Sequence, residues 1–544
     1  MDPNTSSRDS VPTTRQSALS AQREPFVPPR QVLDQVDGRV LDPGTALAVK
    51  GVRPRSTVYV GPRLIVSKGP ETAETIERLQ TVAETLGWEA TVHVDDGVGR
   101  PKKGDRAVAS ADRPTPRGTI GVVRLDLSVR DERATIAPDG WVLLQHARAT
   151  YGIEAMSRVG LDHIVLVRSI DPNPFHSPSP FHSPSPFHSP SPFGASESSA
   201  ISSYGAPGYG GRQPIAYAGP APVRRADDQL SSRRPVVATL DTGCGDHDWL
   251  KDVVKPGPGL DGRDIGHTDD ATDPEKWFDQ VGALDGGIDP LAGHGTFIAG
   301  LIHQACADAD IITWRVVGSD GPIVESDLVE ALGDIAEVAR RHRDGEEGGH
   351  PIDVFNLSMG YYHETPEDLL FDPTMWEILQ LMGQCGVTVV CSAGNDATAR
   401  PMFPAAFAPW ADGKGGMKSS RSAIPIVSVG ALNPNGSDAL FSNAGPWVRA
   451  YAQGAAVMST LPPFQGGLEP VARSEAYQRV RESIDPDDFS GSFAVWSGTS
   501  FAAPVFAGRV AQRLLDRIEP GKDDRATAVA RGWKALTGLT DLTP

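Results

Sequence analysis

The chain has 544 residues, of which 39% are hydrophobic and 22% charged, with a formal net charge of −18. It is too long for one hydrophobic core and apolar enough for two or three globular domains. No run of about 18 apolar residues marks a membrane span, and the acidic excess, carried almost wholly after about residue 234, argues against nucleic acid as the main partner of that part.

The opening residues Met1 to Arg8 lack a basic start, an apolar middle and a small-residue cleavage site, so the expectation is a cytoplasmic protein with no membrane partner. Cys244, Cys306, Cys385 and Cys391 show neither CxxC pairing nor metal-ligand spacing. They read as reduced, mostly buried thiols, which fits a reducing compartment. Some of the many carboxylates could serve a structural calcium ion, but no loop has convincing ligand spacing. No cofactor or metal is expected to be needed for chemistry.

Residues 1–25 are rich in Ser, Thr, Asp and Arg and read as a mobile tail. Residues 26–170 read as a small α+β domain. Thr57 to Val66 is an extended run, and Glu71 to Leu86 carries Ile76, Leu79, Val82, Ala83 and Leu86 at helical spacing before Gly87. Trp88 to Val94 and Thr119 to Leu127 are strand-like, Gly140 to Ala149 is helical, and His163 to Val167 is a strand. The order β-α-β-β-α-β suggests a ferredoxin-like sandwich.

Composition then changes abruptly. From residue 171 to 233 the chain reads as a linker, opened by a six-residue repeat that places Phe at 175, 181, 187 and 193. Proline at this density favours an extended polyproline II spacer, and the glycine-rich stretch from Tyr204 to Gly219 should add flexibility. His176, His182 and His188 recur within it but have no carboxylate or cysteine partners, so the spacer reading is preferred to a metal-binding repeat.

Residues 234–544 alternate apolar strands with amphipathic helices, the pattern of a mostly parallel sheet covered by helices on both faces. Val236 to Leu240 is a strand ending in Asp241-Thr242-Gly243, and Gly293-His294-Gly295-Thr296 opens an apolar helix. Ile311 to Val316, Val354 to Ser358, Val387 to Val390 and Ile426 to Ala431 are further strands, the last closing the run, with helices at Ser326 to Ala339 and Thr374 to Met382. Chemistry in such sheets gathers at the carboxyl ends of strands, where Asp241 and Asn395 fall. Late in the chain, Gly498-Thr499-Ser500-Phe501-Ala502-Ala503-Pro504 is a glycine turn delivering a hydroxyl into an apolar helix. There, unpaired N–H groups and the helix dipole favour negative charge.

Ser500 alone would be an ordinary capping residue. Acyl transfer by serine, however, needs a nucleophile, a base, a group holding the base's tautomer, and oxyanion donors. Ser500, His294, Asp241 and Asn395 supply all four, each in its own glycine-containing context. Together, Asp241-Thr242-Gly243, the His294 motif, Ser392-Ala393-Gly394-Asn395 and the Ser500 motif resemble the signatures of the subtilases, the subtilisin-like serine proteases, over about residues 234 to 540. Asn356 to Gly360 resembles that family's substrate-flanking strand, and Phe441-Ser442-Asn443 its structural turn.

The resemblance implies a subtilisin-like catalytic domain with Asp241, His294 and Ser500 as triad and Asn395 in the oxyanion hole. It implies that Ser358, Met359 and Gly360, with Ser392, Ala393 and Gly394, pair with an extended protein or peptide substrate. It also implies that the N-terminal domain acts in cis as a pro-domain, although a retained regulatory domain is the competing reading. A catalytically silent scaffold that binds peptides or partners is the alternative function. Two stretches are long for the family, the 53 residues separating Asp241 from His294 and the charged insertion Pro462 to Phe489, and both are expected to be surface loops.

Overall fold

The computed structural model describes residues 24–93, 120–167, 201, 203–205, 210–281, 284, 286–319, 321–366, 373–467, 473–482, 488–519 and 521–544. The Phe-His-Ser-Pro repeat and residues 1–23 lie outside them.

The first half builds one antiparallel sheet from β1 (Gly38–Leu41), β2 (Thr57–Ser67), β3 (Trp88–Val92), β4 (Val122–Val129) and β5 (Val159–Val167). Helix α1 (Thr72–Thr85) buries Leu79, Val82 and Ala83, and Gly87 turns the chain out of it at φ 73°. Helix α2 (Gly140–Tyr151) starts where the Asp139 carboxylate accepts the Val142 N–H, and it buries Trp141, Leu143 and Leu144. The spatial order β5-β2-β4-β3, all neighbours antiparallel, is the expected ferredoxin-like arrangement. The extra strand β1 pairs with β2.

The second half is built on seven parallel strands in the order β14-β13-β12-β10-β6-β8-β7. These are β6 (Val236–Asp241), β7 (Val254–Pro256), β8 (Asp310–Arg315), β10 (Val354–Leu357), β12 (Thr388–Ser392), β13 (Val427–Leu432) and β14 (Ala450–Gln453). Leu328, Leu332 and Ile335 of α4 (Glu325–Asp344) and Ile378 and Met382 of α5 (Thr374–Gln384) fill one face. Phe297 and Ile298 of α3 (His294–Ala305), Phe501 and Phe506 of α6 (Thr499–Leu514) and Trp533 of α7 (Arg525–Leu536) fill the other. Burial on both faces is why the central strands read as continuous apolar runs rather than alternating ones.

Three expectations need correction. The strand run does not close at Ala431, because β14 pairs with β13 beyond it. The segment between Asp241 and His294 is not merely a surface loop, since it contributes the opposite edge strand β7, paired with β8. The glycine-containing stretch read as flexible is anchored from Gly210 onward. Gln213 to Ile215 pairs with Phe493 to Val495, and the Arg212 guanidinium stacks 4.4 Å over Trp496 while donating to the Ala292, Ile288 and Asp289 carbonyls. By contrast, within the Pro462–Phe489 insertion the hairpin of Arg473–Ala476 and Arg479–Glu482 carries a fully exposed Tyr477 at its turn, while Phe464 and Phe489 pack against the core.

The two halves share a sheet. The outer edge of β5 pairs antiparallel with β9 (Ile323–Val324) and with β11 (Met359–Gly360), so Leu166 lies opposite Gly360 and Val167 opposite Met359. Among the described residues, no helix is long and apolar enough to cross a membrane.

Candidate active site

Asp241 ends β6 and Asn395 follows the carboxyl end of β12, while His294 and Ser500 open the two helices packed on one face of the sheet. Asp241, His294 and Ser500 are all buried. His294 Nδ1 lies 2.7 Å from Asp241 Oδ1, which also accepts the Thr242 N–H at 2.8 Å. Because the carboxylate can only accept, Nδ1 carries a proton. Nε2 is buried with no hydrogen-bond partner among the described residues. The imidazole lies against the rings of Trp496 and Phe501, 5.8 and 5.3 Å between centroids. Gly295 is required here, since a Cβ would sit 2.1 Å from the Gly243 carbonyl oxygen.

Ser500 is the second residue of α6, and Gly498 before it is extended rather than turned. Ser500 Oγ donates to the Ser358 carbonyl at 3.2 Å, and Ser358 Oγ donates back to the Ser500 carbonyl at 2.9 Å. The second bond explains Pro504 inside the helix. Proline has no N–H for the carbonyl four residues earlier, and the Ser358 hydroxyl satisfies it.

Asn395 Oδ1 accepts both the N–H and the hydroxyl of Thr499 at 2.8 Å, which assigns the amide orientation and leaves Nδ2 as its donor end. Gly394 reaches the same hydroxyl through its N–H at 3.0 Å. It sits at φ 100°, where a Cβ would lie 2.4 Å from Asn443 Nδ2. Asn443 is a hub that its motif did not reveal. Its side chain accepts the Asp396 and Thr398 N–H groups and donates to the Ala393 carbonyl and the Tyr362 hydroxyl.

The two expected substrate segments differ. Met359 and Gly360 present a true strand edge, already taken by Val167 and Leu166 of β5. Ala393 instead spends its N–H on Val429 and its carbonyl on Asn443, and the Gly394 carbonyl accepts the Asn443 N–H. Residues 392–394 therefore form a wall rather than a second strand partner. Between the segments lies a cleft that Ser500 and Asn395 line together with Pro25, Phe26 and Val27. The Phe26 N–H donates to Asp396 Oδ1, and Glu24 pairs with Arg400 at 3.2 Å, so the end of the supposed tail is bound.

Two charged groups escaped the sequence reading. Glu275, from the long segment before His294, is buried beneath Thr242 and the start of α3. Where the halves meet, His163 of β5 sits between two glutamates, Nδ1 2.6 Å from Glu325 and Nε2 2.7 Å from Glu364. Burial opposes a charged imidazole there, but the two carboxylates outweigh it and hold the His163 pKa at about 10. Burial likewise works against the Glu364 carboxylate, and His363 and His163 bring it down to about 2. Neighbouring His363 is kept neutral by burial, its pKa at about 3. No local motif surrounds either group; each becomes visible only where distant segments meet.

The four cysteines form no disulfide; Cys306, Cys385 and Cys391 are buried and Cys244 is half-buried. Burial pushes the Cys391 thiol up, and burial together with Glu275 does the same to Cys244, which leaves both poor nucleophiles.

The chain is 25% identical over 299 residues to the intracellular serine protease of Paenibacillus polymyxa, covering 52% of this chain and 68% of that one. It is 26% identical over 329 residues to the extracellular protease of Xanthomonas campestris pv. campestris, covering 55% and 46%, and 26% identical over 334 residues to mycosin-4 of Mycobacterium tuberculosis, covering 56% and 62%. Among solved structures, fervidolysin from Fervidobacterium pennivorans, described as a keratinolytic enzyme related to subtilisin, matches with a TM-score of 0.43 and 18% identity, over 88% of this chain and 57% of that one. The sequence model of the Subtilase family matches residues 232–518, more than half of the chain, a span that includes Asp241, His294, Asn395 and Ser500; the chain belongs to the subtilase family of serine proteases.

Proposed function

We propose that the chain is an active serine endopeptidase that hydrolyses extended segments of protein or peptide substrates through an acyl-enzyme. The observation that carries this reading is the 2.7 Å Asp241–His294 bond, with Nε2 unengaged among the described residues and the imidazole 5.3 Å from the ring of Phe501, the residue after Ser500. Ser500 Oγ turns from the Ser358 carbonyl to Nε2, gives up its proton and attacks the substrate carbonyl. His294 then passes that proton to the leaving amine, and Asp241 stabilises the imidazolium. Asn395 Nδ2 and the Ser500 N–H receive the oxyanion, the latter at a helix N-terminus where the dipole favours negative charge. Met359 and Gly360 supply the edge along which substrate adds as a strand.

The N-terminal domain acts in cis, with Leu166 and Val167 of β5 lying along that edge in place of substrate. Action in the cytoplasm belongs to the same proposal, supported by four cysteines that form no disulfide. A fluorophosphonate probe is expected to label wild-type protein and not Ser500→Ala. Cleavage within residues 171–233 that appears only in wild type would mark release of the N-terminal domain. A folded wild type that neither cleaves itself nor takes the probe after an added protease has removed the N-terminal domain would instead favour the silent peptide-binding scaffold.

A further inference from the structure

Glu275 is a buried carboxylate outside the four signature motifs, and all its side-chain bonds run to groups that hold the catalytic pair. Its Oε1 accepts the Gly295 N–H at 2.8 Å and the Thr242 hydroxyl at 2.5 Å, and its Oε2 accepts the Thr296 hydroxyl at 2.5 Å. Thr242 follows Asp241, and Gly295 and Thr296 follow His294. One side chain thus ties the loop after the aspartate to the first turn of the helix that carries the histidine. Gly293, the residue before that helix, offers no side-chain cap, and the first-turn N–H of Gly295 is met from outside the helix by Glu275 and by the Thr242 hydroxyl oxygen at 2.7 Å. The Gly295 N–H can only donate to the carboxyl group, and each of the two hydroxyls is able to.

From this juxtaposition we infer that Glu275 is a positioning residue for the serine-protease reaction: it fixes the Asp241–His294 geometry and sets a second carboxylate at the first turn of the helix that His294 opens. The inference rests on the peptidase reading above. The charged and titratable groups around Glu275 are Asp241 on β6, Cys244 after it, His294 on α3, Asp273 on its own loop, and Arg315 on β8. Arg315 is committed to the Asp269 carboxylate and to the Thr272 carbonyl. Burial raises the Glu275 carboxyl's proton affinity, and Asp241 adds to this, against the hydrogen bonds that lower it.

The test is the pH dependence of the second-order rate at which a fluorophosphonate inactivates Ser500 in the full chain, which needs no knowledge of the substrate. Glu275→Gln keeps the shape and removes the charge. It is expected to slow inactivation about tenfold and to move the acid limb about one pH unit lower, because an imidazolium with one fewer negative neighbour loses its proton more readily. Thr296→Val keeps the charge and removes one anchor; it is expected to slow inactivation severalfold. A helix-capping role alone would leave the acid limb of folded Glu275→Gln in place, and that result overturns the inference. If Glu275→Gln does not fold, an unchanged rate in Thr296→Val overturns it equally. Wild type that takes no probe would sink the peptidase reading, and this inference with it.

Discussion

His294 and His163 are both buried imidazoles held by carboxylates, yet they are wired for opposite ends. His294 has one carboxylate, on Nδ1, and Nε2 is unengaged. His163 has a carboxylate on each nitrogen, and its charge is buried and fully hydrogen-bonded. A base must keep one lone pair open so that a proton can arrive and leave. An ion-pair clamp gains from filling both positions, because a buried charge is tolerable only when it is paired and bonded. The same residue type is therefore the reagent of the proposed triad as His294 and, as His163, an ion-paired fastener between β5 and the elements bearing Glu325 and Glu364.

The largest expected effect breaks the reagent side. Asp241→Asn presents the wrong hydrogen-bond partner to Nδ1 and should lower kcat about 10⁴-fold, measured on any cleaved peptide. On the fastener side, His163→Gln leaves two glutamates facing each other without an imidazolium. Loss of a buried pair of this kind costs about 3–5 kcal/mol, which denaturant titration would detect as a lower midpoint. A midpoint equal to that of wild type would show that the cluster does not hold the halves together. Asn395→Ala should cost about 10²–10³ in kcat with little change in KM, since it removes a donor used only when the oxyanion forms.

The same clamp makes stability depend on pH. A His163 pKa raised from 6.5 to about 10 contributes stability that is complete below 6.5 and is lost as pH rises toward 10. A Glu364 pKa lowered from 4.5 to about 2 contributes stability present above 4.5 and lost as pH falls toward 2. The stability gap between wild type and His163→Gln should therefore narrow steadily between pH 6.5 and 10. A gap that widened over that range would contradict a charged His163.

Much of the site was legible because its chemistry is written in short, locally constrained motifs. Gly295 and Gly394 mark places where backbone approaches too closely for a Cβ, so Asp241, His294, Asn395 and Ser500 stand out in linear sequence. The β-α-β-β-α-β order was legible for a similar reason, since each element buries its own periodic face. Other features were not. Strands β7 and β14 are short edges whose pairing depends on what lies beside them. Arg212, in a stretch that looked flexible, is fixed by the Ile288, Asp289 and Ala292 carbonyls, which no nearby residue announces.

By itself, the sequence determined the fold class, the order of the elements and the identity of the four residues proposed to carry the reaction, because periodicity and glycine-bounded motifs are local properties. Only the tertiary structure decided how those residues are held and what covers them. Glu275 reaches Gly295 from 20 residues away, His163 meets Glu325 and Glu364 across 162 and 201 residues, and β5 lies along Met359 and Gly360. Buried charges must find partners wherever the fold brings them, and that distance in sequence carries no local pattern.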